Sequence, residues 1–223
     1  MSKKKKNSNY KSATSANVKT VDPDRRKNNI IWISCLAVTV VLLGSIIAAF
    51  VISSIPNTSY VEMDFGDYGK IVIEVDGDAA PITAENFIDL VNDGFYDGLT
   101  IFRAQENFVI QGGKDDSASI TPIKGEFASN GHDNPISHTR GVISMARTND
   151  PDSATSQFFI TLHDSATYSL DGGYAAFGHV VEGMDVVDAI AEALLQCDSD
   201  SYGFVSDDDA ITIVTAKVLE NYK

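Results

Sequence analysis

From Ile30 to Ile55 the chain carries no charged residue, and this run constrains its organisation more than any other feature. At 1.5 Å per residue it would reach about 39 Å as a helix, against about 30 Å of bilayer hydrocarbon. It is long enough to span a membrane with some tilt. Trp32 suits the headgroup boundary, and Arg25, Arg26 and Lys27 stand directly before the run with no comparable basic cluster behind it. Such clusters stay on the cytoplasmic side. The run therefore predicts a single-pass transmembrane helix over 30–55, a disordered basic cytoplasmic tail over 1–29, a linker over 56–59, and a domain over 60–223 held at the cell membrane outside the cytoplasm. The rival reading is a protein secreted after signal cleavage, but a signal peptide normally has an apolar region of about 7 to 15 residues.

Charge divides at the same place. Residues 1–29 hold nine Lys and Arg against two Asp, a net of +7, whereas residues 30–223 hold eight against 29 acids, a net of −21. The tail is too polar to bury enough surface to offset the entropy of ordering. The acidic domain repels phosphate backbones, so nucleic acid is not its partner, and its field favours polypeptides rich in Lys or Arg. Cys197 is the only cysteine of the domain, which leaves no internal disulfide. A domain of this size buries roughly 70% of its unfolded surface, enough to hold together through its core.

Within the domain, Tyr60–Phe65 and Lys70–Val75 alternate in character around a Gly66-Asp67-Tyr68-Gly69 turn, the pattern of an opening hairpin. Pro81 to Asn86 predicts a helix start with Thr83 as N-cap, followed by Phe87, Leu90 and Val91 at helical spacing and stopped by Asp93-Gly94. A second amphipathic run, Met184 to Gln196, places Val187, Ile190, Ala191 and Leu194 on one face. Short β-prone runs fill much of the rest, at 108–111, 142–146, 157–162, 175–181 and 211–219, while 199–209 reads as an acidic surface loop. Many short strands with two isolated helices predict a mainly β fold, an eight-stranded closed antiparallel barrel capped by two α-helices, since closure removes exposed strand edges.

Two segments carry a more specific message. One is Ile101-Phe102-Arg103 followed by Phe108-Val109-Ile110-Gln111-Gly112-Gly113; the other is Gly141-Val142-Ile143-Ser144-Met145-Ala146 followed by Ser156-Gln157-Phe158-Phe159-Ile160. Together with Ala84-Glu85-Asn86-Phe87, Gly125-Glu126-Phe127, His138-Thr139-Arg140-Gly141, Leu170-Asp171-Gly172 and Phe177-Gly178, in this order, they closely resemble the cyclophilin family. The resemblance implies the capped eight-stranded barrel and an activity, cis/trans isomerisation of peptide bonds preceding proline, in unfolded or extended polypeptides. By motif position it implies Arg103 as the catalytic arginine and Gln111 as the residue that orients it. It further implies Phe108, Phe159 and Leu170, with Val109, as the proline pocket, and Ala146, Arg147, Gln157 and Tyr174 as the groove around it.

That assignment agrees with the chemistry. Rotation about an X-Pro bond must break amide resonance, a barrier near 20 kcal/mol. At the twisted midpoint the prolyl nitrogen regains its lone pair, so a donor aimed there stabilises the transition state alone. A guanidinium stays charged and offers N–H groups in a fixed fork, and an apolar cup can grip the ring while the acyl side turns. No nucleophile, metal or cofactor is needed. Taken alone, Arg103 would read as a surface ion pair, and one of Phe158 and Phe159, which must face opposite sides of a strand, as core. His132, His138, His163 and His179 lack the close spacing of zinc ligands.

The chain also departs from the family pattern. Val109 stands where many relatives carry methionine, Arg147 where asparagine is common, and Tyr174 where a groove histidine is usual. Ser169 replaces the tryptophan that often governs binding of cyclosporin-like cyclic peptides, with Tyr168 beside it as a partial substitute. The competing function is a catalytically weak, membrane-tethered module that only holds proline-containing segments.

Overall fold

The structure, a computed structural model, describes residues 57–220 and Tyr222. The tail and the span expected over 1–29 and 30–55 lie outside the described residues. Among those described, no helix is long and apolar enough to cross a membrane.

The opening hairpin consists of β1 (Thr58–Asp64) and β2 (Lys70–Asp76), joined by a 3-10 turn at Gly66–Tyr68. After α1 (Pro81–Asn92) come β3 (Thr100–Gln105), β4 (Val109–Gly112), β5 (Val142–Met145) and β6 (Phe158–Thr161). The one-turn helix α2 (Thr167–Leu170) precedes β7 (Ala176–Glu182) and α3 (Met184–Leu195). The run expected as one strand at 211–219 is divided into β8 (Ile211–Thr212) and β9 (Thr215–Val218).

That division corrects the expectation of an eight-stranded closed barrel. Nine strands among the described residues form one curled antiparallel sheet, in the order β8-β3-β4-β6-β5-β7-β2-β1-β9, and the ladder has two ends. Both ends belong to one stretch of chain. Between them the Ile213 N–H donates to the Leu99 carbonyl at 2.7 Å, beside β3, and the Val214 N–H donates to the Asp64 carbonyl at 2.8 Å, in β1. A single segment thus changes partners midway, and covalent continuity, not a further ladder, joins the edges.

The period of two along each strand sorts side chains onto two faces. Ala104 pairs with Ile110, Ile110 with Ile160, and Ile160 with Ile143, a row that lies wholly in the buried core. Phe158 belongs to this core and packs edge-on against Phe87 and Tyr96. α1 contributes Ala84, Phe87 and Val91, and α3 contributes Val187, Ile190, Ala191 and Leu194. Each large side chain so buried stabilises the fold by about 1.5–3 kcal/mol.

Thr83 is not the N-cap of α1. The helix starts at Pro81 after Ala80, with the proline in the first turn where a missing N–H costs nothing. The orphan donors are met from a distance: the buried Glu126 carboxylate accepts from the Ile82 N–H at 3.1 Å, and from the Thr83 N–H and hydroxyl at 2.8 Å each. A negative charge there also complements the helix dipole.

Candidate active site

The face opposite the isoleucine row carries the candidate site. Arg103 on β3 pairs with Gln111 on β4, Gln111 with Phe159 on β6, and Phe159 with Ser144 on β5. Direct cross-strand partners project to the same side, so four strands deliver one row of side chains. Phe159 joins Val109, Ala166 and Leu170 in a second, smaller apolar cluster, with Phe108, Ala146 and Tyr174 packed against it. Of the two adjacent phenylalanines, Phe158 is core and Phe159 belongs to this cluster.

A cavity of about 300 Å³ opens over the row, lined by Arg103, Phe108, Val109, Gln111, Ala146, Arg147, Phe159, Leu170, Tyr174 and Phe204. It therefore brings together nine of the ten residues expected from the sequence. Gln157 is absent from this wall and lines a neighbouring cavity, but its side-chain oxygen accepts from Gln111 Nε2 at 3.0 Å, which keeps it behind the site. The volume lies at the small end of ligand pockets. Tyr168 lines none of it and is 93% exposed.

Arg103 is held at three points. Its NH1 donates to Gln111 Oε1 and its NH2 to Gln105 Oε1, both at 2.7 Å, and its Nε donates to the Tyr202 carbonyl at 2.8 Å. A guanidinium has five N–H donors, so two remain for a ligand. Burial pulls its pKa below the ordinary value, and the nearby Tyr174 and Asp200 oppose that effect. An arginine has ample margin to remain a cation. Gln111 is itself fixed at both ends of its amide, accepting from Arg103 and donating to Gln157.

Phe204 is the site residue that sequence reasoning missed. The segment read as an acidic surface loop is tied along β3: the Ala104 N–H donates to the Gly203 carbonyl and the Val205 N–H to the Phe102 carbonyl, both at 3.0 Å. The Phe204 ring stacks on Phe102 and lies 5.2 Å from the Arg103 guanidinium carbon. Gly203 makes the approach feasible, with φ at +81° and only 2.1 Å between a built Cβ and the Ala104 carbonyl oxygen. The available signal was two aromatic residues, Tyr202 and Phe204, within an otherwise polar acidic stretch.

Arg147 is bound differently. Its Nε and NH2 donate to the Gly173 carbonyl at 2.9 and 2.7 Å and its NH1 to the Thr148 carbonyl at 2.7 Å. Its guanidinium carbon lies 5.0 Å from the Phe127 ring centre and 4.7 Å from that of Tyr174.

Behind Phe159, His138 stacks at 6.0 Å between ring centres. Its Nδ1 lies 2.8 Å from Asp171 Oδ1 and its Nε2 lies 3.0 Å from the Ser144 hydroxyl. An ionised carboxylate only accepts, so Nδ1 carries the proton and the Ser144 O–H donates to Nε2. Burial lowers the His138 pKa, outweighing the opposing pull of Asp171. Burial tends to raise the Asp171 pKa, but the His138 backbone N–H at 2.7 Å and the Ser137 hydroxyl at 2.6 Å bring it below the usual carboxylate value. The histidine is thus neutral and serves as a wall behind the site.

Comparison with known proteins gives a consistent result. The family model for cyclophilin type peptidyl-prolyl cis-trans isomerase/CLD matches residues 60–218. A peptidyl-prolyl cis-trans isomerase of Acinetobacter baylyi is 44% identical over 162 residues, which cover 69% of this chain and 81% of that protein. Peptidyl-prolyl cis-trans isomerase B of Escherichia coli is 42% identical over 135 residues, 56% of this chain and 79% of that one. In fold, the chain resembles the crystal structure of a Cryptosporidium parvum cyclophilin type isomerase, with a TM-score of 0.61 at 23% identity, covering 74% of this chain and 99% of that chain. The chain belongs to the family of cyclophilin-type peptidyl-prolyl cis-trans isomerases.

Proposed function

We propose that this protein isomerises X-Pro bonds in exported or surface polypeptides, with Arg103 stabilising the twisted amide. The supporting observation is the triply anchored Arg103 guanidinium, with two further N–H groups, on the wall of a cavity that Phe108, Val109, Phe159 and Leu170 also line. The proline ring fills the apolar end, and a spare N–H reaches the prolyl nitrogen as it becomes an acceptor. Preorganised donors in a half-buried site cost no reorganisation at the moment of reaction. Gln111 keeps the fork aimed, and Ala146, Arg147, Gln157 and Tyr174 bound the path of the flanking chain. The test is NMR exchange of an Ala-Pro peptide by the full-length chain and by Arg103→Ala: equal rates would remove Arg103 from the mechanism, and no catalysed exchange by the wild type would leave only a tethered proline-binding module.

We place the site of action on the sequence of residues 1–55. An uncharged run of 26 residues behind a basic tail supports an anchor with the domain outside the cytoplasm. Protease added to intact cells should digest the domain and spare the tail; protection of the domain would overturn this placement, and a soluble, shortened product in the medium would show cleavage. Cyclosporin-like cyclic peptides remain candidate ligands at reduced affinity, because Ser169, whose hydroxyl donates to the Ala166 carbonyl, offers no indole to pack on.

A further inference from the structure

The domain is strongly acidic, yet among the described residues its candidate active site contains no acid. Seven Lys and Arg lie among the described residues, and four of them, Lys70, Lys114, Arg140 and Lys217, have a carboxylate within 4.0 Å. Three do not, namely Arg103, Lys124 and Arg147, and two of those three line the same cavity. Among the described residues, no Asp or Glu is in its wall. Two acids close to lining residues are occupied elsewhere: Asp200 Oδ1 accepts from the Tyr202 and Phe204 N–H groups, and Asp171, next to Leu170, accepts from Ser137 and His138.

Arg147 is not idle for want of order. Three hydrogen bonds to neutral carbonyls and two aromatic faces fix its guanidinium in place. Those partners satisfy N–H groups without cancelling the charge, and two of its five N–H donors have no partner among the described residues. In the proposed isomerisation this group bounds the path of the flanking chain but its charge is unused, since one donor at the prolyl nitrogen suffices and Arg103 supplies it. A cation held rigid, half-buried and unneutralised beside a substrate cleft is complementary to an anion.

We propose that Arg147 makes the site selective for proline segments that carry a carboxylate, an aspartate or glutamate side chain on the residue next to the proline. The inference rests on the reading of this cavity as the proline site. It opposes the long-range field, which favours basic polypeptides, and the two effects separate by range. At 0.15 M salt the screening length is about 8 Å, so the charge of the whole domain fades while a contact to Arg147 persists.

The experiment uses the full-length chain at 0.15 M salt with tetrapeptides carrying Glu, Gln or Ala immediately before, and in a second set immediately after, the proline. The readout is the ratio of kcat/KM for Glu over Gln, which is internal to each enzyme. The wild type should prefer Glu roughly fivefold in one of the two sets, the scale of a partly screened ion pair. Arg147→Gln should bring the ratio to about one, and Arg147→Lys should restore part of it. A wild-type ratio near one in both sets, or an unchanged ratio in Arg147→Gln, overturns the proposal. If Arg147→Gln does not fold, the Arg147 Nε–H resonance of the wild type decides: it should move on titration with the Glu peptide and not with the Gln peptide, and an equal response to both ends the idea. The titration keeps the two readings apart, because it reports whether Glu is preferred in binding even where turnover of the Ala peptide is absent, and that absence would sink the isomerase assignment alone.

Discussion

Arg103 and Gln111 face each other as register partners across the β3–β4 ladder, and the side chains meet as the backbones do, Arg103 NH1 donating to Gln111 Oε1 at 2.7 Å. Eight residues of sequence separate them, and a tight antiparallel return converts that separation into contact. The proposed catalytic group is thus oriented from a neighbouring strand, so its precision derives from the sheet.

Removing that group should be costly. Arg103→Ala should lower kcat/KM on an Ala-Pro peptide by roughly 10²–10³-fold, the usual effect of deleting one preorganised donor. Arg103→Lys should recover little, because an ammonium cannot reach Gln111, Gln105 and the Tyr202 carbonyl together. NMR exchange measures both, and a lysine variant near wild-type rate would show that charge alone suffices.

Phe204 should act through Arg103. Phe204→Ala removes a cation–π contact worth about 0.5–1 kcal/mol and frees the guanidinium, so a two- to fivefold fall in kcat/KM is expected. In the Arg103→Ala background the same change should have no further effect, since the group it orients is gone. Additive losses in this double-mutant cycle would mean that Phe204 contacts substrate independently.

Glu126 should matter for stability more than for turnover. Glu126→Ala strands the Ile82 N–H and both Thr83 donors in a buried site, and a loss of about 2–4 kcal/mol is expected from urea unfolding. Glu126→Gln keeps one acceptor oxygen and should lose about half as much. An unchanged urea midpoint for the alanine variant would show that α1 caps itself.

Acid should weaken the fold through His138. Burial lowers its pKa, so between the unfolded value near 6.5 and the lower folded value the unfolded chain binds more protons than the native one. Stability is therefore present above about pH 6.5 and falls as pH drops through that window, by at most about 1.4 kcal/mol per pH unit for this single proton. Asp171, also lowered, adds a loss in the same direction at lower pH, below the carboxylate range of the unfolded chain. Urea midpoints from pH 7 to 5 should fall for the wild type and stay flatter for His138→Gln; parallel curves would assign the acid response to other groups.

The sequence by itself determined whatever depends on neighbours along the chain. Period-two alternation specified the opening hairpin, helical spacing specified the buried faces of α1 and α3, and the segments at 101–113 and 141–160 supplied seven of the ten residues that line the cavity. Tertiary structure decided what depends on distant partners. Thr83 looked like a cap because capping rules are local, whereas the acceptor came from Glu126, 43 positions on. The single run at 211–219 could not reveal that its halves pair with opposite ends of the sheet. Phe204 lay hidden in an acidic stretch because only the folded edge of β3 brings position 204 to Arg103, about a hundred residues earlier. The common reason is that hydrogen-bond partners far apart in sequence leave no periodicity to read, so only closure of the chain selects among them.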